Sequence, residues 1–154
     1  FANYYYKDYD NSIEDFIKSI ESINTWIDFK YPLNENKSAN KYHSRKKILN
    51  NIMIANCYGL NGKKKNAQHY IDIAIKLIEE NGISNSDKLK VSYYLSNVYK
   101  ILKDNENYKS NIGSAITLYN LILNALTESK DINSFKNNVQ LNKLIISEIN
   151  KNNS

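Results

Sequence analysis

Residues that staple, break or loosen a fold are nearly missing from this chain of 154. It has one cysteine, one proline and four glycines. A single cysteine cannot pair internally, so no disulfide framework holds the molecule together. So little proline and glycine excludes a collagen-like or linker-like chain. Arginine is scarce too: Arg45 stands alone against 20 lysines. No run of 18 apolar residues occurs, so no segment reads as a membrane span. The start lacks the charged-then-apolar order of a signal peptide, and a cytoplasmic location is the expectation. The chain opens Phe1-Ala2-Asn3 without Met, so it reads as a fragment, a processed chain or an expressed piece.

What the chain has in quantity is Asn (26), Ile (21), Lys (20) and Tyr (13), about half of all residues. These four have codons rich in A and T, and Lys far above Arg fits the same cause. The net charge of +5 therefore reads as genome bias before it reads as a nucleic-acid surface. Arginine, the planar fork suited to phosphate and guanine, is the residue such a surface would need. At 42% hydrophobic the chain can bury a core, and its length suits one domain spanning 1–154.

The apolar pattern is helical almost throughout, so the expected class is all-α. Ile13, Phe16, Ile17, Ile20, Ile23 and Ile27 mark one helix face. Asp10, Asn11 or Ser12 can cap its start, and Pro32 breaks it. A second helix is expected from about Asn40 to Leu60, ended by Asn61-Gly62, where Gly62 suits a left-handed cap. A third runs from about Lys64 to Asn81, ended by Asn81-Gly82. A fourth follows from Ser86-Asp87 to about Lys103, and a fifth from Asp104 or Asn105 to about Thr127. A last one is expected over 132–150, carrying Phe135, Val139, Leu144, Ile145 and Ile149. Short loops between such helices make antiparallel neighbours.

An internal period runs through this pattern. Ile54-Ala55-x-x-Tyr58 is followed by Ala67, Ile71 and Ala74. Leu95-Ser96-x-x-Tyr99 returns to the first half 41 residues on. Small residues at Ala55 and Ala67 let two helices approach, and Tyr58 fills the space by the turn. In the second copy Tyr108 stands where a small residue is due, so Asn111 or Ala115 takes that position. An earlier half-copy reads Tyr9-x-x-Ser12-x-x-x-Phe16-x-x-Ser19, with Ala2 to Tyr6 as a truncated partner helix. Over about residues 2 to 126 the chain resembles the tetratricopeptide repeat (TPR) family, in its longer-repeat type. That resemblance implies a short α-solenoid of six or seven helices, with repeats near 2–29, 40–81 and 86–127 and a terminal helix.

Groups that would carry chemistry do not converge. His43 and His69 fall on different helices with no HExxH or Cys/His cluster, so no metal or cofactor is expected. Both read as surface or boundary histidines. Cys57 reads as a buried, inert thiol. Gly59-Leu60-Asn61-Gly62-Lys63 lacks the spacing and the Ser or Thr of a phosphate loop, and reads as a turn. No pair of carboxylates is placed for acid–base work. Trp26, with Ile23 and Ile27, reads as a core anchor. The expectation is therefore a protein without enzymatic activity.

The resemblance implies instead that the first helices of successive repeats line a peptide groove. Mapped onto this chain, the groove positions are Leu49, Ile52, Asn56 and Gly59, then Lys90, Tyr93, Asn97 and Lys100. Asn56 and Asn97 fall at equivalent places, and a further 41 residues lead to Asn138. An Asn side chain offers one donor group and one acceptor, the pair that an extended peptide backbone presents. Tyr93 and Leu49 would add side-chain selectivity. The family's clamp for C-terminal carboxylates does not carry over: Ile52 and Tyr94 replace its Lys and Arg, and only Lys90 remains. The expected partner is thus a protein or peptide segment. Two other classes stay open. One is the sensing part of a bacterial peptide-responsive regulator. The other is a basic nucleic-acid or membrane-surface binder using Lys41, Arg45, Lys46 and Lys47, or Lys63 to Lys65.

Overall fold

The computed structural model describes residues 7–30 and 37–152, and within them not the side chains of 27–30, 37–41, 138 and 152. The expected partner helix at Ala2 to Tyr6 and the break at Pro32 lie outside the described residues. Among those residues the chain is all-α, with seven helices packed in adjacent pairs as in a helical-repeat solenoid. They are α1 (Tyr9–Lys30), α2 (Lys37–Leu60), α3 (Lys64–Asn81), α4 (Asn85–Leu102), α5 (Asn105–Asn124), α6 (Ser129–Asn138) and α7 (Gln140–Asn152). None of them is long and apolar enough to cross a membrane.

The starts and stops follow local chemistry. Asp8 caps α1: its carboxylate accepts from the Asn11 backbone N–H at 3.3 Å, and Ser12 Oγ donates to its carbonyl at 2.7 Å. The cap thus sits earlier than Asp10, Asn11 or Ser12. Ser84 and Asp87 bond each other at the start of α4, the Ser Oγ accepting from the Asp87 N–H at 3.2 Å and donating to its Oδ2 at 2.7 Å. Asp104 caps α5 through the Asn107 N–H at 3.1 Å. The carboxyl of Asp104 is held below its usual range by its hydrogen bonds to the Asn107 side chain and backbone. Gly62 turns the chain between α2 and α3 with a φ of +73°, which other residues adopt only at a cost.

Three buried clusters run along the array. Ile13 and Phe16 of α1 meet Ile54 and Cys57 of α2, with Tyr58 and Tyr70 packed alongside and stacked on each other at 5.5 Å. Ile48, Ile52 and Ala55 of α2, Ile71 and Ala74 of α3, and Val91, Leu95, Val98 and Tyr99 of α4 form the central cluster. Leu89 and Tyr93 of α4, Ile112, Ala115 and Tyr119 of α5, and Ile145 of α7 form the third. Ala55, Ala67, Ala74 and Ala115 are all fully buried, at the points where helices approach. On α5 the fully buried small residue is Ala115, while Asn111 is only half-buried.

Three expectations need correction. Residues 132–150 are not one helix: α6 and α7 are separated at Val139, which is extended (φ −99°, ψ +110°). Asn137, Asn138 and Val139 are weak helix formers. Asn142 then rewards the break, because its buried side chain donates to the Phe135 carbonyl at 2.8 Å, an acceptor that a continuous helix would have paired with residue 139. Trp26 is not a core anchor. It is 40% exposed, its ring 4.7 Å from that of His43, while Ile23 takes the buried position. His43, read as a boundary residue, is buried, and burial first, then Lys46 and Lys47, lowers its pKa.

Candidate binding groove

The positions expected to line a groove do not all point one way. Leu49, Asn56, Tyr93 and Asn97 converge on one cavity of about 480 Å³. Leu49, Met53 and Asn56 follow a helical spacing of four and three and form one stripe of α2. Tyr93 and Asn97 form the facing stripe of α4, with Tyr94 beside them, its ring 5.8 Å from that of Tyr93 in edge-to-face contact. The third wall comes from α7: Gln140, Leu141 and Leu144. A volume of this size suits a bound segment or small molecule, since ligand sites span about 300–1,000 Å³.

Four expected members lie elsewhere. Ile52 is fully buried in the central cluster, because it falls on the α2 face that meets α3 and α4. Lys90 is half-buried and does not line the cavity. Lys100 is exposed, with its ammonium 5.4 Å above the ring of Tyr108. Gly59 is likewise outside the cavity: a Cβ there would come within 3.1 Å of Ile101 Cγ2, so its smallness serves the packing of α2 on α4. Asn138 is the last residue of α6, and its side chain lies outside those described. The third wall was hidden because one continuous helix was expected where two stand. Met53 was legible, one turn from both Leu49 and Asn56.

No formal charge lines this cavity. Its walls are Leu49, Met53, Leu141, Leu144 and two tyrosines, interspersed with the carboxamides of Asn50, Asn56, Asn97 and Gln140. Asn56 is only 5% exposed and already engages a neighbour, whereas Asn97 is half-buried. Asn50 donates to Ser19 Oγ of α1 at 3.0 Å. A charged group entering here would be desolvated without a partner, which costs several kcal/mol. Apolar walls favour aliphatic or aromatic side chains, and carboxamides favour amide groups.

The basic cluster is dispersed by the fold. Arg45 Nε lies 2.7 Å from Asp87 Oδ1 of α4, though its N–H is not aimed for a hydrogen bond, so the contact is an ion pair. Lys46 leans over the Tyr42 ring at 4.8 Å. Lys47 lines a separate trough between α1 and α3. The side chain of Lys41 is outside those described. Lys63 pairs with Asp10 of α1 at 3.4 Å.

Other reactive groups are spent on structure. Burial pushes the Cys57 thiol up to about 11, so its thiolate is scarce at neutral pH. His69 is exposed, edge-on to Tyr70 at 5.4 Å. Among the described residues no group of three His, Cys, Asp or Glu could hold a metal ion. Compared with family models, curated proteins and solved structures, the chain matches none.

Proposed function

We propose that this chain is a non-enzymatic binding module of the tetratricopeptide-repeat type, which holds a protein or peptide segment in the groove between α2, α4 and α7. One observation carries the reading. Four positions chosen from the sequence period, Leu49, Asn56, Tyr93 and Asn97, line the same cavity although they come from two helices 41 residues apart. Binding combines burial of apolar side chains on Leu49, Leu141, Leu144 and Tyr94 with amide pairing by Asn97 and Gln140. Each amide pair contributes about 1 kcal/mol, and each well-buried apolar side chain about 1.5–3 kcal/mol. The occupant is uncharged over the stretch that enters, because the walls offer no countercharge.

The test is selection of a random linear peptide library on the full chain, followed by affinity measurement of the selected peptides on variants. Leu144→Asp places a charge in the wall on a half-exposed position, and Asn97→Ala removes one carboxamide. The reading expects at least tenfold weaker binding for Leu144→Asp, a few-fold weakening for Asn97→Ala, and unchanged helicity by circular dichroism in both. Selected peptides that bind both variants as they bind the original chain would refute it.

A further inference from the structure

We infer that this chain forms a twofold dimer through the outer face of α5, each copy laying that helix over a trough of the other. The trough lies between α3 and α5, which pack against α4 but scarcely against each other. It encloses about 620 Å³. Ile75 and Ile78 form one wall, Leu118 the other, and Val91 and Leu95 of the central cluster the floor. Two large apolar side chains stand open beside it. Ile75 is 37% exposed, and Leu121, which continues the Ser114–Leu118 side of α5, is 52% exposed. A ridge next to a trough of the same make-up is what a twofold axis needs, because one patch must serve both partners.

Charge decides for a second copy over an unrelated helix. Glu79 and Lys88 line the same trough, both exposed and, among the described residues, without an ion pair. Each sits where its own helix disfavours it, the acid in the last turn of α3 and the base in the first turn of α4. A copy related by the twofold axis brings its Lys88 to this Glu79 and its Glu79 to this Lys88, so both mismatches are relieved together. The helix that enters between them must itself be neutral, and α5 is. Residues 110–127 include no Asp, Glu, Lys, Arg or His, in a chain that is 24% charged. By contrast α1, α3 and α7 all expose charges, such as Glu14, Lys76 and Lys143. Gly113 fits the same arrangement. Gly62 and Gly82 have positive φ and Gly59 clears Ile101, but a Cβ at Gly113, in the middle of α5, would meet nothing within 4 Å. A glycine there weakens the helix relative to alanine, and only an approach from outside the chain makes use of it. The dimer leaves the α2–α4–α7 groove of each copy open, because trough and groove use opposite faces of α4, Val91 and Leu95 against Tyr93 and Asn97.

The test is sedimentation equilibrium of the full chain over a range of concentrations, without any peptide. A concentration-dependent dimer is expected. Thr117→Glu sets a charge on an exposed position of the α5 outer face and should weaken the dimer at least tenfold, with helicity unchanged. Glu79→Lys alone and Lys88→Glu alone should each weaken it several-fold, because like charges then face each other across the axis. Mixed in equal amounts, those two variants should recover the original affinity, since every contact of the mixed pair is again of opposite sign. A chain that stays monomeric into the millimolar range leaves the trough to a foreign partner and overturns the inference. So does a dimer that Thr117→Glu leaves intact. So do single charge variants that fail to weaken the dimer or, once mixed, fail to restore it. If Thr117→Glu loses helicity, the mixing experiment decides by itself.

Discussion

Arg45, the only arginine in the chain, lies 2.7 Å from Asp87 and so ties the N-terminal half of α2 to the first turn of α4. Asp87 is engaged in three ways at once. One carboxylate oxygen meets Arg45, the other accepts from Ser84 Oγ, and the Asp87 N–H is capped by that same hydroxyl. The residue that looked like the centre of an anion-binding cluster is engaged inside the fold.

A pair of substitutions separates those roles. Arg45→Ala is expected to lower stability by less than about 1 kcal/mol, because the guanidinium side chain is 39% exposed. Asp87→Ala keeps the backbone N–H that Ser84 caps but also loses the Ser84 Oγ hydrogen bond and the acidic charge of the first turn, and should cost about 1–2 kcal/mol. Urea melts of both variants check this. Retention on heparin should be unaffected by Arg45→Ala; a clear loss of retention would return Arg45 to an anion-binding role.

The buried small position of α5 gives a second contrast. Ala115 is fully buried, while Asn111 is half-buried and donates to the Asn107 carbonyl at 2.9 Å. Ala115→Leu should overpack the α4–α5 contact and cost about 1–3 kcal/mol. Asn111→Leu should stay within roughly 1 kcal/mol, and the thermal midpoints of the two variants report the difference.

The α6–α7 break depends on one side chain. Asn142→Ala leaves the Phe135 carbonyl without its side-chain partner in a partly buried place and should cost about 1–2 kcal/mol. Hydrogen exchange should quicken in α6 and α7 and remain slow in α2 and α4. Equal loss of protection everywhere would mean that the terminal pair unfolds only with the whole molecule.

The Glu148 contacts set a pH dependence. Its carboxyl is held below the ordinary value first by the Lys151 hydrogen bond and then by the nearby charges of Lys100 and Lys151 and the Tyr108 hydroxyl, against a raising effect of burial. A lowered carboxyl contributes stability above its unfolded value and loses it as pH falls through the folded value. The thermal midpoint should therefore fall as pH drops from neutral into the acid range, and Glu148→Gln should flatten that fall.

Much of the fold was legible because helical spacing is a property of neighbouring residues. Ile48, Ile52 and Ala55 announce the buried stripe of α2, and Ala67, Ile71 and Ala74 that of α3. Caps at Asp104 and the turn at Gly62 follow from the chemistry of single residues. Long-range pairing was not legible. Nothing near Glu148 says that Tyr108, 40 residues earlier, would meet it, and nothing near Arg45 announces Asp87. Trp26 misled for a related reason: a large aromatic at helical spacing reads as core, but whether it is covered depends on what packs beside α1. In the groove, Ile52 was misplaced by the mapping, although its own spacing with Ile48 and Ala55 assigned it to the core face.

The most direct measurement of the central claim is hydrogen exchange of the full chain with and without a library-selected peptide. Occupation of the groove predicts protection concentrated at residues 49–56, 93–97 and 140–144, with the trough on the other face of α4, lined by Ile75, Ile78, Ser114 and Leu118, unchanged. Protection confined to that second trough, with the α2, α4 and α7 stripes unaffected, would contradict it.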